Sequence, residues 1–212
     1  MNVVVAGGHG QIALHLLWML AERGDGAYGL VRDPDHAAEL ERIGARAVVC
    51  DLEEQDNLAT CVADADAVVF AAGAGPDSGP ERKRTVDLGG AVKLVDAARV
   101  TGIRRYVMVS AMGASDPDAG GEKMRPYLEA KAEADQVLAR SGLDFTIVRP
   151  GLLTDDPATG RVAAGPEVER GEIPRQDVAA VLLATLDHAD AIGKMFNLIG
   201  GETPIEDAMR SL

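Results

Sequence analysis

Cysteine, histidine and aromatic residues are scarce in this chain of 212 residues, which holds 2 cysteines, 4 histidines, 1 tryptophan, 3 tyrosines and 3 phenylalanines. Cys50 and Cys61 show neither the CxxC spacing of a zinc or redox site nor the number of thiols a disulfide framework needs, so both are expected to be small core residues. His9, His15, His36 and His188 are scattered, with no HExxH or His/Cys cluster, and no metal is expected. Positive charge is also short: 21 Lys and Arg against 34 Asp and Glu leave a formal net charge of -13, which repels a phosphate backbone and argues against a nucleic-acid partner. A small anionic ligand remains compatible, because backbone amides and one local arginine bind phosphate whatever the global charge. No apolar run approaches the roughly 20 residues of a membrane-spanning helix. Met1 to Ala6 leads straight into an apolar strand without the basic start of a signal peptide, so the expectation is a cytoplasmic protein with no membrane partner.

What is plentiful is apolar surface. At 47% hydrophobic residues the chain can bury a sizeable core, and one domain over 1–212 is the simplest reading, with 150–212 as a short C-terminal, substrate-side segment. Runs rich in Val and Ala alternate with amphipathic stretches of helical length, the pattern of βαβ units. The expected strands are 2–6, 27–31, 45–50, 66–72, 104–110, 144–149 and 194–199. The expected helices are 10–23, 34–43, 54–63, 81–101, 124–141, 175–187 and 204–210. This is an α/β, doubly wound Rossmann arrangement: a seven-stranded, mostly parallel sheet with helices on both faces and no separate substrate domain. Asp33 before Pro34 reads as a helix cap, Thr203 to Glu206 reads as a capping box with Pro204 at the first helical position, and Gly24, Gly44, Gly102 and Gly142 mark helix ends. Two irregular loops, Ala74 to Pro80 and Gly113 to Gly121, follow strands at the carboxyl edge of the sheet, where ligands bind in such folds, and are candidate pocket walls.

The first strand and helix are joined by VVVAGGHGQIA, which sets Gly7, Gly10 and Ala13 at GxxGxxA spacing. Gly7 permits a tight turn, Gly10 lets the backbone approach a diphosphate, and Ala13 lets helix and strand pack closely. Amides near Gly10, Gln11 and Ile12 would then face the phosphates at the positive end of the helix. His9, inside the turn, either touches a phosphate or caps the helix. The second strand ends LVRD: Arg32 suits the 2′-phosphate of NADP, while Asp33 beside it leaves NAD possible. Asp51 and Leu52 after the third strand fit an adenine site, Asp51 serving equally well as a helix cap. Small Ala71, Ala72 and Gly73 after the fourth strand admit ribose and diphosphate against the backbone.

Tyr127 and Lys131 lie four apart on an expected helix and so share one face. An ammonium beside a phenol favours the phenolate, so Lys131 is expected to lower the Tyr127 pKa toward working pH for proton transfer. Ser110, ending the fifth strand, is placed to hydrogen-bond a substrate carbonyl.

Taken with LVRDP, VVFAAG, TVDLGGAVKLVDAA, RRYVMVSAMGA, YLEAK, SGLDFTIVRPG and IPRQDVA, these motifs make the chain resemble the short-chain dehydrogenase/reductase superfamily over essentially its whole length. It is most similar to the compact atypical NAD(P)-binding branch, whose members are often labelled epimerase-like. The resemblance implies that Ser110, Tyr127 and Lys131 are the catalytic serine, tyrosine and lysine, with Lys131 also holding the nicotinamide ribose. It places Asp87 where many members carry an active-site asparagine, a departure from the usual proton relay. It also implies that Pro150 and Gly151, after Arg149, pass beside the nicotinamide. Arg149 pairs with a carboxylate under the sheet or lines that passage, and Arg175 and Asp177 are structural.

The expected function is an NADP-dependent oxidoreductase acting on a small carbonyl or conjugated acceptor. An epimerase or dehydratase is the alternative, set back by the roughly 60 residues after the sixth strand, too few for a sugar-nucleotide lobe. A non-catalytic NADP sensor is another, if the 113–121 loop holds Tyr127 away from the coenzyme. The expected partner is a small-molecule substrate, and the expected state monomer or homodimer.

Overall fold

A computed structural model describes residues 1–75 and 78–212. In chain order the strands are β1 (Asn2–Ala6), β2 (Gly26–Val31), β3 (Arg46–Val49), β4 (Ala67–Phe70), β5 (Arg105–Val109), β6 (Asp144–Pro150), β7 (Leu152–Thr154), β8 (Arg161–Gly165), β9 (Glu172–Pro174), β10 (Lys194–Gly200) and β11 (Thr203–Pro204). The helices are α1 (Gln11–Arg23), α2 (Ala37–Arg42), α3 (Ala59–Val62), α4 (Pro80–Arg82), α5 (Ala91–Thr101), α6 (Gly121–Ala139), α7 (Arg175–Asp187) and α8 (Ile205–Arg210).

β1 shows how residues dictate layers. Successive side chains of a strand point to opposite faces. Val3 and Val5 enter one apolar cluster with Leu16, Leu17 and Leu20 of α1 and Val178 and Leu182 of α7. Val4 and Ala6 enter a second with Phe70, Leu94, Tyr106, Met108 and Leu138, under α5 and α6. Both faces of the sheet are therefore covered, as a run of Val demands in a parallel sheet.

The main sheet has the order β11-β8-β10-β6-β5-β4-β1-β2-β3. Its parallel part, β10-β6-β5-β4-β1-β2-β3, contains the seven expected strands, and the chain direction of the winding reverses between β1 and β4. That reversal opens a crevice at the carboxyl ends of β1 and β4. The expected seven strands are exceeded because β8 adds antiparallel to β10 and β11 antiparallel to β8, and β7 and β9 form a separate two-stranded sheet. These additions are short, and RVAAG in β8 carries little β-branched character; pairing with β10 makes it a strand.

Local differences have local causes. The helix expected over 54–63 shrinks to α3, because the Asn57 side chain accepts the Ala59 N–H at 2.8 Å and the Asp51 side chain accepts the Glu53 N–H at 2.8 Å, holding a turn in place. The stretch expected as one helix over 81–101 contains a π-helical segment, Lys83–Gly90, between α4 and α5. Asp33 caps as expected, accepting the Asp35 N–H at 2.9 Å with Pro34 following. The Thr203 capping box does not form: Thr203 and Pro204 pair with β8, and α8 starts at Ile205 without a side-chain cap. The cysteines are not separate core residues. Cys50, after β3, and Cys61, in α3, are buried and joined as a disulfide with Cα atoms 6.4 Å apart. Sequence spacing hid this, since only the 51–58 turn folds α3 back beside the end of β3.

Candidate functional site

The crevice is a cleft of about 310 Å³ walled by the turn after β1, the end of β2, the segment after β3 and the loop after β4. Gly7 has φ +81°, and a Cβ there would sit 2.6 Å from the Ala72 Cα. At Gly8 a Cβ would lie 2.7 Å from the Gly29 Cα. The turn therefore lies directly on its neighbouring strands, leaving its open side to the cleft. Gly10 is the N-cap of α1 and supplies no side-chain cap, so the first amides of the helix have no side-chain partner. One expectation is corrected: the Gly10 amide is engaged, donating to the Gly7 carbonyl at 2.8 Å, which leaves the Gln11 and Ile12 amides as the donors at the helix start.

Gly7, His9, Gly10, Arg32, Asp51, Leu52, Ala71, Ala72 and Gly73 all line this one cleft. Arg32 is exposed and, among the described residues, has no hydrogen-bond or ion-pair partner. His9 does not cap α1. Its ring stacks on His36 with centroids 3.5 Å apart, and its Nε2 lies 2.6 Å from Glu39. His36, Glu53, Arg82 and Val86 also line the cleft and were not singled out from sequence. His36 had a signal, lying four residues beyond Arg32; Arg82 and Val86 had none, because they arrive from a distant helix. Glu53 fastens that helix, binding Arg82 at 3.2 Å and Thr85 at 2.6 Å. Of the expected loop wall, Ala74 and Gly75 line the cleft, while Pro76 and Asp77 lie outside the described residues.

The second part of the site is a buried cluster of charges past the ends of β4 and β5. Lys131, on α6, is 3% exposed; its Nζ donates to the Val109 carbonyl at 3.1 Å and lies 3.2 Å from Asp87 Oδ1. Asp87, in the π-helical segment, is fully enclosed, and its other oxygen accepts the Ala74 N–H at 3.1 Å. The ion pair thus ties α6 to the loop that walls the cleft. Tyr127 sits one turn before Lys131, its ring centroid 5.8 Å from the Lys131 ammonium and 5.7 Å from that of Lys83.

The expected lowering of the Tyr127 pKa is reversed. Burial pushes the phenol above its ordinary value; Lys131 opposes this, while Asp87 and Asp135 reinforce it. Ser110 is buried with its hydroxyl enclosed. Beside it Asp135, a residue not anticipated from sequence, accepts from Arg149 Nε at 2.9 Å and Nη2 at 2.8 Å. Burial raises the Asp135 pKa, against the charge of Arg149, the nearby Ser110 hydroxyl and the hydrogen bond from Arg149. Arg149 therefore pairs under the sheet. Asp135 was visible in principle as the next i+4 step after Tyr127 and Lys131.

The glycine turn and Arg32 line the cleft, whereas Ser110, Tyr127, Lys131 and Asp87 are not among its lining residues; Tyr127 and Lys131 reach its wall only through Asp87, which binds Ala74. Pro150 ends β6 and Gly151 follows it, and neither lines the cleft; Gly151 lies against Gly171, whose carbonyl a Cβ would approach to 2.2 Å. The 113–121 loop is two 3₁₀ turns, Met112–Ser115 and Pro117–Gly120, followed by the start of α6. Gly113 and Gly120 rest on Leu128, next to Tyr127. Asp177 is structural, accepting from Thr159 and Gly160, and Arg175 binds Asp155 at 2.7 Å.

A family model described as NAD(P)H-binding matches residues 7–189, from the glycine turn to the end of α7. The chain belongs to the NAD(P)H-binding family. This NAD(P)H-binding protein is 39% identical over 214 residues to an uncharacterized sugar epimerase of Bacillus subtilis (strain 168), with 100% of both chains covered. A solved structure from Bacillus halodurans, named as an NAD-dependent epimerase/dehydratase, matches with a TM-score of 0.95, 42% identity and 100% coverage of both chains. An oxidoreductase from Lactococcus lactis matches with a TM-score of 0.89 and 28% identity over 100% of this chain and 96% of the other. The NAD(P)H-binding chain is thus of an oxidoreductase-like and epimerase-like kind, with the atypical short-chain dehydrogenase/reductase fold. Among the described residues no helix is long and apolar enough to cross a membrane.

Proposed function

We propose that this protein is an NADP(H)-dependent oxidoreductase that reduces a small carbonyl or conjugated acceptor. The observation that carries the reading is Tyr127 beside Lys131, with Lys131 paired to Asp87, whose other oxygen holds Ala74 in the wall of a cleft that a glycine turn and Arg32 also line. The residues fit the coenzyme: Gly7 and Gly10 leave backbone space for a diphosphate, the Gln11 and Ile12 amides at the start of α1 would donate to it although neither residue lines the cleft, and Arg32 and His36 suit a 2′-phosphate. When bound, the reduced nicotinamide supplies the hydride that forms the new C–H bond. Lys131 would hold the ribose side, and Tyr127 would donate its proton to the oxygen that gains the electron pair. Ser110, whose buried hydroxyl has no hydrogen-bond partner among the described residues, would donate to the substrate oxygen.

The epimerase or dehydratase reading is favoured by the names of the full-length relatives. Against it, the residues after β6 go into β7 to β11, α7 and α8, all packed on or beside the sheet, which leaves no lobe for a sugar nucleotide. A coenzyme sensor without catalysis is the remaining reading. Calorimetry with NADPH and NADH on wild type and Arg32→Ala, followed by NADPH oxidation against a panel of quinones, flavin and small aldehydes, separates the three. The proposal expects turnover of at least one acceptor, lost in Tyr127→Phe. Turnover of a UDP-sugar instead supports the epimerase, and tight NADPH binding with no turnover supports the sensor.

A further inference from the structure

Lys131 is the cation nearest the Tyr127 ring on its own helix, yet its charge is not directed at the phenol alone. It lies 3.2 Å from Asp87, and the two side chains are 4% and 0% exposed, so water does not screen the pair. Asp87 is held from two further sides: the Ala74 N–H binds one oxygen at 3.1 Å, and a Cβ on Gly73 would stand 3.2 Å from the other. It belongs to a π-helical segment, an irregularity that often re-aims a side chain at a functional site. An asparagine here would leave the ammonium of Lys131 whole; the aspartate cancels it.

We propose that Asp87 is a positioning residue that sets the direction of the chemistry: by holding Lys131 in a buried one-to-one pair it keeps Tyr127 in its proton-donating form, so the site is built to reduce. This rests on Tyr127 being the acid of the proposed reduction. In that direction the reduced coenzyme supplies the electron pair, the Tyr127 O–H bond breaks as its proton passes to the substrate oxygen, and solvent returns a proton to the phenolate. The reverse reaction needs a phenolate to accept the alcohol proton, and the native charge balance withholds it.

The groups facing Tyr127 divide evenly. Lys131 and Asp135 lie on its own helix, and Lys83 and Asp87 lie on the segment packed against it, with Arg149 reaching Asp135 from β6. Lys83 directs its ammonium to the Gly75 carbonyl and the Ser78 hydroxyl at 3.4 Å each. Asp135 is balanced by Arg149. Asp87 is therefore the carboxylate whose removal leaves Lys131 uncompensated beside the phenol.

The test follows tyrosine ionisation directly. With 3 tyrosines in the chain, ring-labelled protein titrated by carbon NMR gives separable signals, and Tyr127→Phe assigns the one of interest. In wild type the Tyr127 signal is expected to stay that of a phenol up to about pH 10, the ordinary tyrosine value. In Asp87→Asn its transition is expected about one to three pH units lower, the shift an uncompensated neighbouring charge produces. A purely structural Asp87 would cost stability and leave that transition where it was. An unmoved transition in folded Asp87→Asn overturns the proposal, and so does a wild-type Tyr127 already ionising below about pH 9, a measurement that needs no variant. Neither result depends on turnover: loss of the oxidoreductase reading appears separately, as failure to bind or oxidise NADPH.

Discussion

Replacing Gly7 by alanine tests the physical basis of the coenzyme turn. At φ +81° an L-residue meets its own carbonyl, a cost of roughly 1–2 kcal/mol. The added Cβ also arrives 2.6 Å from the Cα and 2.8 Å from the N of Ala72, both backbone atoms. Ala72 cannot retreat cheaply, because β4 is paired with β1 and the Ala71 N–H donates to the Ala6 carbonyl at 3.0 Å. Forced overpacking of this kind adds roughly 1–3 kcal/mol. The sum, about 2–5 kcal/mol, is a large share of the stability of an ordinary domain. At about 2–4 °C per kcal/mol for a chain of this size, Gly7→Ala should melt roughly 4–20 °C below wild type. Gly10→Ala is the internal control. With φ −71° and ψ 148° any residue fits, and the nearest neighbour of its Cβ is the Gly7 carbonyl at 3.1 Å. Its stability cost should be about 1 kcal/mol or less, while its Cβ fills the space facing the diphosphate and should weaken NADPH binding about tenfold or more. Thermal melts and calorimetry on both variants decide the matter. A Gly7→Ala protein melting within about 2 °C of wild type, or a Gly10→Ala protein with undiminished coenzyme affinity, refutes the reasoning.

Further outcomes are expected. Arg32→Ala should weaken NADPH by about 10- to 100-fold, the loss of a charge-assisted hydrogen bond worth about 1.5–3 kcal/mol, while NADH binding stays level in the same calorimeter. Tyr127→Phe should lower turnover of any accepted acceptor by about 10²- to 10⁴-fold without changing coenzyme affinity, as stopped-flow and binding data would show. Arg149→Met should cost about 3–5 kcal/mol in urea unfolding, because Asp135 is left charged and buried, and pairing it with Asp135→Leu should recover much of the loss. Asp144 is held below the usual carboxylate range by hydrogen bonds from Arg104, which together with the charges of Arg104 and Arg105 outweigh desolvation. Its folded pKa lies below the unfolded one, so the stability it adds is present above about pH 4 and lost as pH falls through the folded value. Carboxyl NMR titration of Arg104→Ala should show the Asp144 midpoint rising.

Much of this was legible from residues alone because it depends on neighbours in the chain. The alternation of Val-rich runs with amphipathic segments named all seven parallel strands, each within two residues of its observed start, since a doubly covered sheet demands continuous apolar strands. Asp33 before Pro34 and the glycine that ends α1 are local chemistry, and both stand as read. The same holds for the glycine turn, whose spacing between strand and helix implied the cleft now lined by Gly7, Gly10 and Arg32.

The rest was decided by contacts between distant segments. β8 is a strand because β10 offers it a free edge, and β11 because β8 then offers its own. Cys50 meets Cys61 because a side-chain-capped turn reverses the chain between them. The sign of the Tyr127 shift is the clearest case. On the helix, spacing puts Lys131 one turn away and argues for a lowered pKa. In the fold, burial and two carboxylates, Asp87 from another segment and Asp135 from a further turn, outweigh that single ammonium. Local sequence determines which groups share a face; only the packed interior determines which charges go unscreened, because removal of water gives each of them its strength.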